Sequence, residues 1–122
     1  MSLTSRYHKG PPPTLQILFR GTLVAKLSKE KKEGRSIYTF RYLPTFKESN
    51  LAPLPGIPYS EGILRSAELW PFFIERIPDS RRPEIMAWMR VKKLSEADDL
   101  RMLAELSSRA VTDPYEIRIA AA

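Results

Sequence analysis

From Leu15 onward, apolar positions alternate with polar ones. Leu15, Ile17 and Phe19 stand against Gln16 and Arg20, and beyond Gly21 the residues Leu23, Ala25 and Leu27 stand against Lys26 and Ser28. A period of two marks a half-buried strand, and Gly21 offers the backbone freedom a tight reversal needs, so the two runs predict a hairpin. Lys29-Glu30-Lys31-Lys32-Glu33-Gly34-Arg35 reads as a second, longer and charged turn. Ile37-Tyr38-Thr39-Phe40-Arg41-Tyr42, rich in β-branched and aromatic residues, completes a three-stranded meander. Between Leu43 and Gly62, four prolines (Pro44, Pro53, Pro55 and Pro58) argue against a helix. They favour an extended segment over residues 52–58, laid across the sheet or closing it.

The pattern then changes period. Leu69-Trp70-Pro71-Phe72-Phe73-Ile74-Glu75-Arg76-Ile77-Pro78 is the most apolar short run in the chain. Pro71 suits the first turn of a helix, where its missing N–H leaves nothing unpaired, and Ser66 or Glu68 is near enough to cap it. Phe72, Phe73 and Ile77 cover one side and Pro78 ends the helix after about two turns. A second helix is predicted from Pro83 to about Lys93, with Glu84 at its positive end, Lys92 and Lys93 at the other, and Ile85, Trp88 and Met89 on one face. A third is predicted from about Glu96 to Ser108. Ser95 is its N-cap, Glu96, Asp98 and Asp99 give an acidic first turn, and Leu100, Leu103, Ala104 and Leu106 form the buried side. Asp113-Pro114 makes a turn into the alternating strand Tyr115-Glu116-Ile117-Arg118-Ile119. The expectation is an α+β domain over residues 14–120: a small antiparallel meander or partly closed barrel, capped by about three short helices, with a final C-terminal strand. Residues 1–13, ending in Pro11-Pro12-Pro13, read as a poorly ordered lead-in.

A length of 122 residues suits one core. Cysteine is absent, which excludes a disulfide framework and thiolate chemistry and suits a reducing compartment. No apolar run reaches the roughly 18 residues of a membrane span and no signal-like N-terminus occurs, so a soluble cytoplasmic protein is expected. The net charge of +6 is uneven: residues 1–41 carry nine Lys and Arg against two Glu. That bias fits either a solvated basic loop or contact with nucleic acid or another acidic partner through Lys26, Lys29, Lys31, Lys32 and Arg35.

Catalytic chemistry finds little footing. The five glycines are dispersed, so no phosphate-cradling loop forms. The one histidine, His8, lies in the lead-in with no acid at ligand spacing, which argues against a metal site and leaves no base for a serine nucleophile. Asp98 and Asp99 are neighbours and serve better as helix-start acids, while Glu61, Glu68 and Glu75 read as surface residues. No enzyme activity and no cofactor are expected. Recognition remains, and tryptophans are its strongest anchors. Trp88 shares a helical face with Ile85 and Met89 and is assigned to the core. Trp70, with Leu69, Phe72 and Phe73 beside it, is the candidate partner contact, with a core role as the competing assignment.

The order of these segments resembles the N-terminal subdomain of the HipA-type serine/threonine kinase toxins, over most of residues 19–117. Gly21, Leu23 and Leu27 resemble its first hairpin, Phe40-Arg41-Tyr42 its Phe-Arg-Tyr strand, and Pro53 to Pro58 its proline-bounded extended segment. Phe72-Phe73 with Ile77-Pro78-Asp79 resembles its two phenylalanines, leucine-rich turn and Pro-Glu-Gly; Asp99, Leu103 and Leu106 resemble the helix leading to its last strand. Asp79-Ser80 departs from Glu-Gly, and Ser107-Ser108 stands where glycine is usual. The chain as given stops where a kinase core would begin, and a free-standing copy resembles the HipS-like antitoxins of three-gene HipBST systems. The resemblance implies a subunit that binds a HipT-like serine/threonine kinase in trans and inhibits it, with a HipB-like DNA-binding protein in the same complex. The alternatives are a basic adaptor contacting DNA or RNA, and a structural kinase subunit without inhibitory activity.

Overall fold

Two tight turns set the sheet. Arg20 and Gly21 (φ 49° and 87°) join β1 (Leu15–Phe19) to β2 (Thr22–Lys32), and Glu33 and Gly34 (φ 54° and 80°) join β2 to β3 (Arg35–Tyr42). Two consecutive residues with positive φ match the right-handed twist of the flanking strands, which is why such pairs close hairpins. The charged run 29–35 is therefore strand for most of its length, and the expected long turn shrinks to two residues. The computed structural model describes residues 12–110 and 114–120, with the side chains of residues 108–110 excepted, so His8 and Asp113 lie outside the described residues.

β4 (Leu64–Ser66) pairs with β3, and β5 (Tyr115–Ile119) pairs with β1, giving one antiparallel sheet of order β4-β3-β2-β1-β5. The sheet is open, with β4 and β5 at its edges, and not the partly closed barrel the pattern allowed. Between β1 and β2 the register shifts: Ile17 faces Ala25 but Leu18 faces Leu23, so Val24 is an extra residue, a bulge. The Val24 carbonyl freed from the ladder accepts the Leu43 N–H at 2.9 Å, and the Thr45 hydroxyl donates to the Leu23 carbonyl.

That attachment seats α1 (Pro44–Glu48), the fourth helix, which the proline count had argued against. Pro44 occupies its first turn, where a missing N–H costs nothing, so one of the four prolines starts the helix that the set was expected to forbid. Residues 52–58 do lie across the sheet. Leu54 and Ile57 are buried, and the buried Tyr42 hydroxyl donates to the Ile57 carbonyl (2.5 Å) while accepting the Leu54 N–H (2.9 Å). Burial raises the Tyr42 phenol to about 12, so it stays a neutral donor.

α2 (Pro71–Ile74), α3 (Pro83–Lys92) and α4 (Asp99–Ala110) complete the chain. α2 is a single turn rather than two; Trp70 is its N-cap without a side-chain bond, and the Ser66 hydroxyl instead accepts the Glu68 N–H at 3.1 Å. α4 starts three residues later than expected, because Asp98 turns its carboxylate back to the Ser95 N–H (2.8 Å). The main core joins the inner sheet face, through Leu15, Ile17, Leu27, Phe40 and Ile117, to Phe46, Phe73, Leu100 and Leu103. A smaller cluster, Ile85, Met89, Leu94, Met102 and Leu106, fixes α3 to α4, with Trp88 partly buried against it.

Candidate docking surface

The surface around α2 is built outward from Phe40. Its ring lies 5.9 Å from both the Trp70 and the Phe73 rings, each tilted by more than 50°. Phe73 in turn meets Phe72 edge-on at 5.1 Å, and Phe72 meets Tyr115 at 5.5 Å. The guanidinium of the buried Arg76 stacks 4.2 Å over Phe72. Offset and edge-to-face packing of this kind is specific in geometry and rigid. Leu69, Phe72 and Phe73 are thus buried in the isolated domain, at 7%, 6% and 0% exposure. Trp70 is only partly buried: it packs against the core on one side and keeps an accessible one.

Beside this helix start an open groove of about 470 Å³ is walled by Leu69, Ile74 and Ile77 on one side and by Tyr38 and Asp99 on the other. Ile74, the last residue of α2, is 52% exposed at its wall. The polar end of the groove is a hydrogen-bonded network. Asp99 accepts the Tyr38 hydroxyl on Oδ2 and Lys29 Nζ on Oδ1 at 3.1 Å, and Lys29 also donates to the Ala97 carbonyl at 3.0 Å. The ammonium lies 5.3 Å from the centre of the Tyr38 ring. Burial, reinforced by the hydrogen bond and charge of Asp99, pushes the Tyr38 phenol far above its ordinary range, so it remains a protonated donor. Tyr38, Lys29 and Asp99 are thus all partnered, and no cluster of residues able to hold a metal occurs among the described residues.

A second open groove, about 420 Å³, lies between α3 and the turn before α4, floored by Met86, Met89 and Leu94 and flanked by Arg81 and Arg90. Its Arg81 is engaged: it grips Asp79 through two carboxylate oxygens, at 2.9 and 3.1 Å, and holds that carboxyl down at about 2. Ser80 donates to Glu96 across the groove. Asp79-Ser80 therefore forms a turn closed by side-chain bonds where the resemblance led to a glycine, and Ser107 is buried.

The basic candidates divide. Lys29 is absorbed into the Asp99 network, its side chain only 9% exposed. Lys26, Lys31, Lys32 and Arg35 are exposed. Lys29, a candidate contact for an acidic partner, is instead tied to Asp99 and Tyr38, and neither that tie nor the exposure of Ile74 is among the expectations; the signal for the tie is parity, since Lys29 is two residues beyond the inward-facing Leu27. Glu61, Glu68 and Glu75 are all exposed and Glu61 pairs with Lys47 at 3.3 Å.

An open antiparallel sheet whose inner face packs against helices, with open apolar grooves beside α2 and α3, defines an α+β module. The chain belongs to the HipA N-terminal domain family, whose model matches residues 15–111. That family is an N-terminal subdomain and not the catalytic kinase domain, and membership points to a component of a HipA-related toxin–antitoxin system. A comparison with curated proteins finds no match. Among the described residues no helix is long and apolar enough to cross a membrane.

Proposed function

We propose that this domain is an antitoxin-like docking subunit that binds a HipT-like serine/threonine kinase in trans and inhibits it, within an assembly that also holds a HipB-like DNA-binding protein. The observation that carries the reading is the pairing of a partly exposed Trp70, packed on the core, with the exposed Ile74 on the same one-turn helix, beside a groove of about 470 Å³. Large apolar side chains held in place by a packed second layer are what interface hot spots are made of. Leu69, Phe72 and Phe73 serve that contact from beneath, by fixing the angle of Trp70. Phosphoryl transfer depends on positioning, so a tryptophan lodged against a kinase Gly-rich loop or nucleotide site would suffice to inhibit.

Activity of the cognate kinase titrated with wild type, Trp70→Ala and Ile74→Glu tests the proposal. Truncating a central tryptophan costs about 2 kcal/mol, about 30-fold in affinity, so both variants should inhibit only at far higher concentration while keeping the wild-type circular dichroism. Folded variants that inhibit as well as wild type refute the contact. Binding without inhibition by wild type would mark a structural subunit instead.

A further inference from the structure

The opposite face of the sheet carries the chain's basic residues in a pattern the linear sequence conceals. Side chains alternate along a strand, so with Leu27, Phe40 and Ile117 turned inward, Lys26, Lys32, Arg35, Arg41 and Arg118 turn to the face opposite the one that packs on Phe46, Phe73, Leu100 and Leu103. Arg65 joins them opposite Thr39 on β4. All six are exposed, and among the described residues the acids on this face are Glu30 and Glu116. None of the six forms an ion pair among the described residues; Arg118 donates to Gln16 at 3.0 Å.

The register sharpens the charge. Arg118 faces Gln16, Gln16 faces Lys26, and Lys26 faces Arg41, so one row crosses four strands. Lys32 likewise faces Arg35. Like charges directly opposite destabilise a sheet, and an anion lying across the row offsets that repulsion. At about 4.8 Å per strand the row spans about 14 Å, close to the roughly 12 Å of a DNA major groove, so its ends reach phosphates on the two flanking strands. Among the described residues no aromatic side chain lies on this face, since Tyr38, Phe40 and Tyr42 all point inward. Unstacked bases would find no platform, which favours a duplex backbone over single strands.

We propose that this outer sheet face binds the phosphate backbone of duplex DNA without sequence preference, through Lys26, Arg41 and Arg118, with Arg65, Lys32 and Arg35 alongside. This surface is separate from the Trp70 edge, so either proposal can fail alone.

The test is binding of the full chain to a short mixed-sequence DNA duplex as a function of salt. The Lys26→Gln/Arg41→Gln/Arg118→Gln variant should bind at least tenfold more weakly, with the slope of log K against log salt reduced by about 2.7. A control of equal charge change, Lys31→Gln/Lys47→Gln/Arg90→Gln, should lose less than threefold. Equal loss in both variants, no binding by wild type at about 50 mM salt, or preference for single-stranded RNA or anionic vesicles overturns the assignment.

Discussion

Lys26 and Lys29 are three residues apart on one strand and share a side chain, yet one is exposed opposite Arg41 and the other is held by Asp99, the Ala97 carbonyl and the Tyr38 ring. The two faces of the sheet make that difference. The inner face collects the aromatic rings and at its β4 edge leaves a groove; the outer face, among the described residues, collects exposed cations without ion pairs and no ring. Which face a strand residue takes therefore decides whether its charge becomes a structural tie or stays exposed, and net charge by itself does not.

Breaking the inner face should cost most. Phe73, fully buried between Phe40 and Phe72, should lose about 3–5 kcal/mol on replacement by alanine, read as a fall in denaturant midpoint at unchanged slope. Asp99→Ala removes the acceptor for both Tyr38 and Lys29 and should cost about 3 kcal/mol, whereas a further Lys29→Met change should recover part of it in a double-mutant cycle.

Tyr42→Phe, which strands the Ile57 carbonyl and the Leu54 N–H, should cost about 2 kcal/mol at neutral pH. It also has a pH signature. A phenol ordinarily near 10 and raised to about 12 in the fold contributes stability that is complete below pH 10 and is lost as pH climbs from 10 through 12. Alkaline unfolding of wild type should therefore steepen over that window, and the phenylalanine variant should lose that part of the slope. At the outer face, Lys26→Thr removes one of two opposed cations and should shift stability by no more than about 0.5 kcal/mol, in the stabilising direction.

Much of the sheet was legible because its code is local. Alternation marked β1, the first part of β2 and β5, β-branched and aromatic residues marked β3, and Gly21 marked the first turn. What was missed depended on nonlocal partners. β2 runs on through Lys29 and Lys31 because β3 supplies its ladder and Asp99 its counter-charge, neither of which a charged run reveals. β4 is three residues without a period, and exists by pairing with Tyr38, Thr39 and Phe40. α1 forms because the bulge at Val24 leaves carbonyls that Leu43 and Thr45 satisfy, an irregularity with no sequence mark. The candidate contact was legible in composition, as a tryptophan beside two phenylalanines. Its layering was not: Phe72 and Phe73 are the support, and Ile74, unremarked among them, is the exposed member.

The comparison of faces comes to its sharpest test in one calorimetric measurement, the affinity of the cognate kinase for Ile74→Glu and for Lys26→Gln/Arg41→Gln. The account predicts that the first variant loses at least tenfold and the second stays within threefold of wild type. Equal losses, or a larger loss from the outer-face variant, would contradict it.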